Sequence, residues 1–314
     1  KGSILDNDSE DVTVTPDPEP ENPDVPVDPE DPVLPKDKDG NVIINGATVE
    51  EGDTAKFNVT VTESSKPQTV IIDISSGTAD KGEDFLKDTD PIFIIDGEEV
   101  SATINPDGTY SVEVPAGETE LKVHVPTYDD EIIEDTETFT VTATLENGKT
   151  SSATGYIIDN DSEDVTVTPD PDPKDPNDPK DLDSKGSEVE EGEVAEFKVK
   201  VTESSKDQVA TITITSGTAD KGDDFLNPLE NESITVRYAD GTEVTVDANP
   251  DGTYSVNIPA GDTTFVIGVP TYDDLIVEDT EDFNLSVTVG DKTSDSKGSI
   301  LDNDSEDVTV TPDP

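Results

Sequence analysis

The chain has 314 residues, 19 basic and 77 acidic, for a formal charge of −58, and it contains no cysteine, methionine or tryptophan. Such acidity excludes nucleic acid as a partner, because a phosphate backbone needs clustered Lys and Arg, and Arg237 is the only arginine. No run is long enough for a transmembrane helix, an anionic membrane surface would repel the chain, and what it should attract is cations. Without cysteine no disulfide forms, and with His124 as the only histidine zinc sites and Ser-His or Cys-His nucleophiles lack their parts. The chain is therefore expected not to be an enzyme.

In chain order, the first feature is repetition. Residues 2–18 return letter for letter at 298–314, with a near copy at 155–171. Between these markers lie two homologous stretches. Val61-Thr-Glu-Ser-Ser-Lys66 returns at 201–206 and Ser76-Gly-Thr-Ala-Asp-Lys-Gly82 at 216–222, while Asn105-Pro-Asp-Gly-Thr-Tyr-Ser111 returns at 249–255. The first two pairs are 140 positions apart and the third 144. The four extra residues therefore fall between Phe225 and Asn249, where a surface hairpin is expected to have grown. The domain reading is a tail of a preceding repeat at 1–18, a Pro/Asp-rich linker at 19–40, a module at 41–161, a second linker at 162–182, a second module at 183–304, and the start of another linker at 305–314. The chain opens in mid-repeat and reads as a piece of a longer array. Alternating Pro and Asp favours extended, self-repelling chain, so these stretches are either linkers or the first segments of each module.

Within the modules the apolar period is two. Ala55-Lys-Phe-Asn-Val-Thr-Val61, Ala195-Glu-Phe-Lys-Val-Lys-Val201, Val209-Ala-Thr-Ile-Thr-Ile214, Tyr254-Ser-Val-Asn-Ile258 and Phe283-Asn-Leu-Ser-Val-Thr-Val289 predict half-buried antiparallel strands. Pro-Asp-Gly-Thr at 106–109 and 250–253 and Ala-Asp-Gly-Thr at 239–242 predict hairpin turns. No stretch has a helical period. The expected fold is all-β, with one sandwich per module.

The acids gather in four words. In the first module they are Val49-Glu-Glu-Gly52, Gly82-Glu-Asp-Phe85, Tyr128-Asp-Asp-Glu-Ile-Ile-Glu-Asp-Thr-Glu137 and Asp159-Asn-Asp161. The second module repeats them as Val189-Glu-Glu-Gly192, Gly222-Asp-Asp-Phe225, Tyr272-Asp-Asp-Leu-Ile-Val-Glu-Asp-Thr-Glu281 and Asp302-Asn-Asp304. Each word sits at the end of a predicted strand, so all four can meet at one pole of a sandwich. Carboxylates crowded there repel one another without a counter-ion. Ca²⁺ suits them, since it takes six to eight oxygens in irregular geometry, whereas Mg²⁺ prefers fewer protein oxygens. Asp37-Lys-Asp-Gly-Asn41 looks like part of an EF-hand loop, but Pro35 stands where an acid is needed, and a turn is expected.

The combination of Glu-Gly before a strand, Gly-Thr-Ala-x-x-Gly-x-Asp-Phe, Pro-Ala-Gly-(Glu/Asp)-Thr, Asp-Asp-x-x-x-Glu-x-x-Glu-x-Phe and a closing Asp-x-Asp resembles the Calx-beta module over roughly 45–161 and 188–304. The resemblance implies seven-stranded immunoglobulin-like sandwiches that bind Ca²⁺ at one end, as found in sodium–calcium exchangers and, in tandem, in large bacterial surface adhesins of RTX or biofilm type. It carries ligand positions onto Glu51, Asp84, Asp129, Asp130, Glu134, Glu137, Asp159 and Asp161. In the second copy they are Glu191, Asp224, Asp273, Asp274, Glu278, Glu281, Asp302 and Asp304. Asp6 and Asp8 match the closing pair of a truncated neighbour. The sequence departs from the family between Phe85 and Pro115, where Pro91-Ile-Phe-Ile-Ile95 and Val100-Ser-Ala-Thr-Ile104 predict an added hairpin in each module. The expectation is a monomeric, extracellular extender on a bacterial cell surface, its partners being calcium ions and neighbouring repeats of the same chain. The alternative is a binding module whose sandwich or added hairpin recognises a glycan or a protein.

Overall fold

The computed structural model describes residues 9–17, 47–168, 187–226 and 232–305. The reading of 19–40 as linker, most of the second linker, the turn at Asp37–Asn41, the pair Asp6 and Asp8, and the tail at 306–314 lie outside the described residues. The chain divides into two compact units, one comprising Lys1–Asp130 and Glu134–Asn160, the other Glu131–Ile133 and Asp161–Pro314. Among the described residues every regular element is a strand, as the period-two pattern predicts.

The first unit contains β1 (Val12–Pro16), β2 (Thr48–Glu50), β3 (Thr54–Val61), β4 (Gln68–Ser76), β5 (Ile92–Ile95), β6 (Glu98–Val100), β7 (Thr103–Ile104), β8 (Tyr110–Val114), β9 (Glu120–Pro126), β10 (Glu137–Leu145) and β11 (Thr150–Ile158). One sheet runs β1-β3-β9-β5-β6 and the other β2-β11-β10-β4-β8-β7. The second unit contains β12 (Val165–Thr168), β13 (Glu188–Glu190), β14 (Val194–Val201), β15 (Gln208–Ser216), β16 (Ile234–Tyr238), β17 (Glu243–Val246), β18 (Tyr254–Ile258), β19 (Thr264–Pro270), β20 (Glu281–Val289) and β21 (Lys292–Leu301). Its sheets run β12-β14-β19-β16-β17 and β13-β21-β20-β15-β18.

Two features go beyond the expected seven strands. The added hairpin is present in both units, as β5–β6 and β16–β17, each extending a sheet beside β9 or β19. In the first unit the stretch Val100–Ile104 is not one strand. β6 ends at Val100, Ala102 packs on the core, and β7 pairs with β8 in the opposite sheet, so the chain changes sheet within five residues. The other feature is β1, which lies in the stretch read as the tail of a preceding repeat. It pairs antiparallel with β3, and β12 pairs likewise with β14.

The core follows from alternation. Phe57, Val59, Ile72, Ile74, Val123 and Val141 point inward and are almost wholly buried. Three phenylalanines knit the two sheets beneath one pole. Phe85 stacks on Phe139 at 4.8 Å between ring centroids, and Phe57 meets Phe139 edge-on at 5.9 Å. The second unit repeats this with Phe225, Phe283 and Phe197, at 4.7 and 5.9 Å. Phe139 sits opposite Gly155 in the β10–β11 register, and Phe283 opposite Gly298. A Cβ built on either glycine would overlap the phenyl ring, so the ring lies across the strand only because no side chain stands there.

Candidate metal centre

Strand register alone brings the four acidic words together. In the first unit Glu137 at the start of β10 faces Ile157 at the end of β11, and Ile158 pairs in parallel with Glu50 of β2. Thr54 at the start of β3 faces Pro126 at the end of β9, and Phe85 bridges to Thr127. The residues just beyond these ends, namely Glu51, Asp84, the 128–137 loop and 159–161, must therefore share one pole. In the second unit Glu281 faces Ile300, Leu301 pairs with Glu190, Val194 faces Pro270, and Phe225 bridges to Thr271.

Two trios of carboxylates form at each acidic pole. Oxygens of Glu51, Asp159 and Asp161 lie within 4.8 Å of one another, as do those of Asp84, Glu134 and Glu137. The second unit has Glu191, Asp274 and Asp304, and Asp224, Glu278 and Glu281. Glu51, Asp84, Asp130, Glu134, Glu137 and Asp159 line one cleft, so the two trios of the first unit are neighbours. Glu191, Asp224, Asp274, Glu278 and Glu281 line the corresponding cleft of the second.

Not every predicted position stands in a trio. Asp129 and Asp273 lie against Gly52 and Gly192, each at φ +81°, where a Cβ would come within 2.9 and 3.0 Å of the aspartate Cβ. Their carboxylates accept hydrogen bonds from the side-chain amides of Asn160 and Asn303, at 3.1 and 3.2 Å. Asp302 accepts the backbone N–H of Glu278 at 2.9 Å and of Asp304 at 2.8 Å. These hydrogen bonds tie the acidic loops to one another.

Sequence reasoning missed the two asparagines. Asn160 also donates its side-chain amide to the Glu51 carbonyl at 3.3 Å and its backbone N–H to Glu51 Oε1 at 3.1 Å. Asn303 donates to the Glu191 carbonyl at 3.2 Å. Each asparagine thus clasps the first acidic word to the third. The available signal was its presence in both copies, between the two acids already singled out. Asp135 and Asp279 also line the clefts and were passed over.

The electrostatics are those of crowded like charge. Burial, a hydrogen bond shared with Asp84 and repulsion from Asp84 and Glu134 push the Glu137 carboxyl up to about 8. Burial, the same bond to Asp224 and repulsion from Asp224 and Glu278 push Glu281 up to about 7. Glu191 is raised by burial and then by Asp302 and Asp274; Asp304 and Glu278 are raised by burial and then by neighbouring acids. Leu86 and Leu226, one residue past each Asp-Phe pair, hold φ at 53° and 48°. Both are buried, and this left-handed backbone costs a leucine on the order of 1–3 kcal/mol.

The donor set fits a hard divalent cation. All donors are oxygen, with no sulfur or imidazole in either cleft, and a ligand shell of six to eight oxygens matches Ca²⁺. Glu191 Oε2 and Asp304 Oδ2 are buried and accept no hydrogen bond. A buried carboxylate oxygen without a donor is costly, and a cation would satisfy it.

A family model described as the Calx-beta domain matches residues 41–105, 95–170, 182–234 and 230–314, as two pairs of overlapping segments. Among solved structures, the apo form of the Calx CBD1 domain matches at 18% identity and TM-score 0.27, covering 37% of this chain and 88% of that one. CBD12 from CALX1.2 matches at 15% identity and TM-score 0.27, covering 77% and 76%. The C-terminal domain of the Streptococcus agalactiae AgI/II polypeptide BspA matches at 12% identity and TM-score 0.25, covering 85% and 98%. A search of curated protein sequences finds no match.

Proposed function

Since this chain belongs to the Calx-beta domain family, we propose that each of its two sandwiches binds Ca²⁺ at the acidic pole, and that the tandem serves as an extender of a bacterial surface adhesin. The observation that carries the calcium reading is the paired trios, formed from the same four words in both units. A cation there would be held by Glu51, Asp159 and Asp161 together with Asp84, Glu134, Glu137 and Asp130, and in the second unit by Glu191, Asp274 and Asp304 together with Asp224, Glu278 and Glu281. The ion supplies positive charge; the chain supplies oxygens, pre-set by the Asn160 and Asn303 clasps. Because the pole exists only in the folded units, binding energy becomes folding energy.

The extender role rests on tandem repetition, on the Pro-Asp stretches and on the absence of cysteine. In this reading the protein works outside the cell without enzymatic activity. Its partners are calcium and the neighbouring repeats. Small-angle scattering tests the role: chelating calcium should shorten the particle reversibly. An unchanged scattering profile alongside demonstrated calcium binding would leave the metal site standing and overturn the extender reading.

A further inference from the structure

The word Ser-Gly-Thr-Ala-Asp-Lys-Gly stands unchanged at 76–82 and 216–222. It places a lysine three residues before an acid of the metal centre, Lys81 before Asp84 and Lys221 before Asp224. Lys81 fastens a tight turn to β4. Its backbone N–H donates to Ser76 Oγ at 3.0 Å and its ammonium to the Ile74 carbonyl at 3.2 Å. Ile74 lies two residues beyond the last pair of β4 with β8, Ile72 with Tyr110. The ammonium stands 5.8 Å from the centroid of the buried Tyr110 ring. Lys221 repeats the arrangement, its N–H on Ser216 Oγ at 2.9 Å and its ammonium 5.8 Å from the centre of the Tyr254 ring. The turn then closes through a bridge of Lys81 with Phe85 and a bond from Gly82 N–H to the Phe85 carbonyl at 2.8 Å. Asp84 is held inside it. Its N–H donates to the Asp80 carbonyl at 3.0 Å, its Oδ2 accepts the Asp80 N–H at 2.5 Å, and its carbonyl accepts the Tyr128 N–H at 2.7 Å. Asp224 makes the same bonds with Asp220 and Tyr272, at 3.0, 2.6 and 2.9 Å. The turn therefore fixes the Asp84 carboxylate beside Glu134 and Glu137 and ties it to the loop that follows Tyr128.

We propose that Lys81 is a positioning residue for the Asp84 ligand, and Lys221 for Asp224: the lysine pins the turn to its strand and so sets the carboxylate for calcium. This role rests on the calcium reading and goes beyond it in the sign of an effect. A lysine acting only as a charge repels a cation, and its removal would strengthen binding. A lysine that holds a ligand in place does the reverse, because a carboxylate freed from its support must be ordered again each time an ion binds.

The test uses the full chain carrying Asp274→Asn and Glu278→Gln. These changes take one acid from each trio of the second pole, so that calcium titration calorimetry reads the first. In this background Lys81→Met, which keeps the apolar stem and loses the ammonium, should lower calcium affinity about tenfold. Lys81→Arg, which keeps a cationic donor, should retain most of the affinity. Terbium luminescence excited through Tyr128, which lines the cleft, should fall in parallel for Lys81→Met. Circular dichroism in calcium-free buffer should show that variant folded at the temperature of the titration, because Lys81 is exposed. Calcium binding that is unchanged or tighter in Lys81→Met overturns the proposal alone, and so does a loss as large in Lys81→Arg as in Lys81→Met. Absence of calcium binding with Lys81 in place overturns the calcium reading and this role with it.

Discussion

Replacing Glu137 by glutamine should move the stability of the first unit in opposite directions with and without calcium. Glu137 is partly buried, shares a hydrogen bond with Asp84 and faces Glu134, and these hold its carboxyl at about 8 against an ordinary 4.5. Below about 4.5 folded and unfolded chains are both protonated and the group contributes no difference. Between about 4.5 and 8 the folded unit keeps a proton that the unfolded chain has lost, so stability falls as pH rises, and it levels off above 8. Converted at about 1.36 kcal/mol per pH unit the whole interval would exceed 4 kcal/mol; the side chain is partly open to water, and screening reduces this to on the order of 2 kcal/mol. Glutamine is neutral at every pH and removes that cost. In calcium-depleted buffer at pH 8.5 the first unit of Glu137→Gln should melt about 5–10 °C above the wild type, an advantage that shrinks towards pH 5. With calcium present the variant has one carboxylate fewer, and its calcium-induced rise should be smaller. Scanning calorimetry at both pH values reads all three quantities. A variant that melts lower than the wild type in calcium-free buffer at pH 8.5, or that keeps the full calcium-induced rise, would refute the reasoning.

Changing Asp129 and Asp130 to asparagine should remove most of the calcium-induced stabilisation of the first unit and leave the second nearly unchanged; equal loss in both would contradict separate poles. Asn160→Ala removes two side-chain hydrogen bonds that join Glu51 to Asp129, and calcium titration calorimetry should show affinity for the first unit falling about tenfold or more, the usual scale for residues that orient metal ligands. Gly155→Ala drives a methyl into the Phe139 ring and should lower stability by about 1–3 kcal/mol; an unchanged denaturant midpoint would show that the ring has another place to go.

The strands over 55–61, 195–201, 209–214, 254–258 and 283–289 were legible because one buried face imposes period two, and the structure reproduces each within two residues. The gathering of the acids was legible for a related reason. Every acidic word adjoins a strand end, and antiparallel neighbours bring such ends together. What stayed hidden depends on contacts across the chain. β1 lies in a charged Pro-Asp context, and only its pairing with β3 marks it as core. The stretch Val100–Ile104 alternates like a strand, yet it divides between two sheets, with Ala102 packed on the core between β6 and β7. Gly155 and Gly298 read as ordinary strand residues until Phe139 and Phe283 are placed opposite. Within the site, the division of carboxylates into trios and supporting acids is set by loop geometry, which the spacing Asp-Asp-x-x-x-Glu-x-x-Glu does not specify.

Thermal unfolding of the wild-type chain in calcium and in EGTA tests the central claim most directly. If ions fill the acidic poles at a hundred times their dissociation constant, each occupied site adds about 2.7 kcal/mol, and the transitions of both units should rise by several degrees in calcium and fall back on chelation. Identical melting curves under the two conditions would contradict calcium binding at these poles.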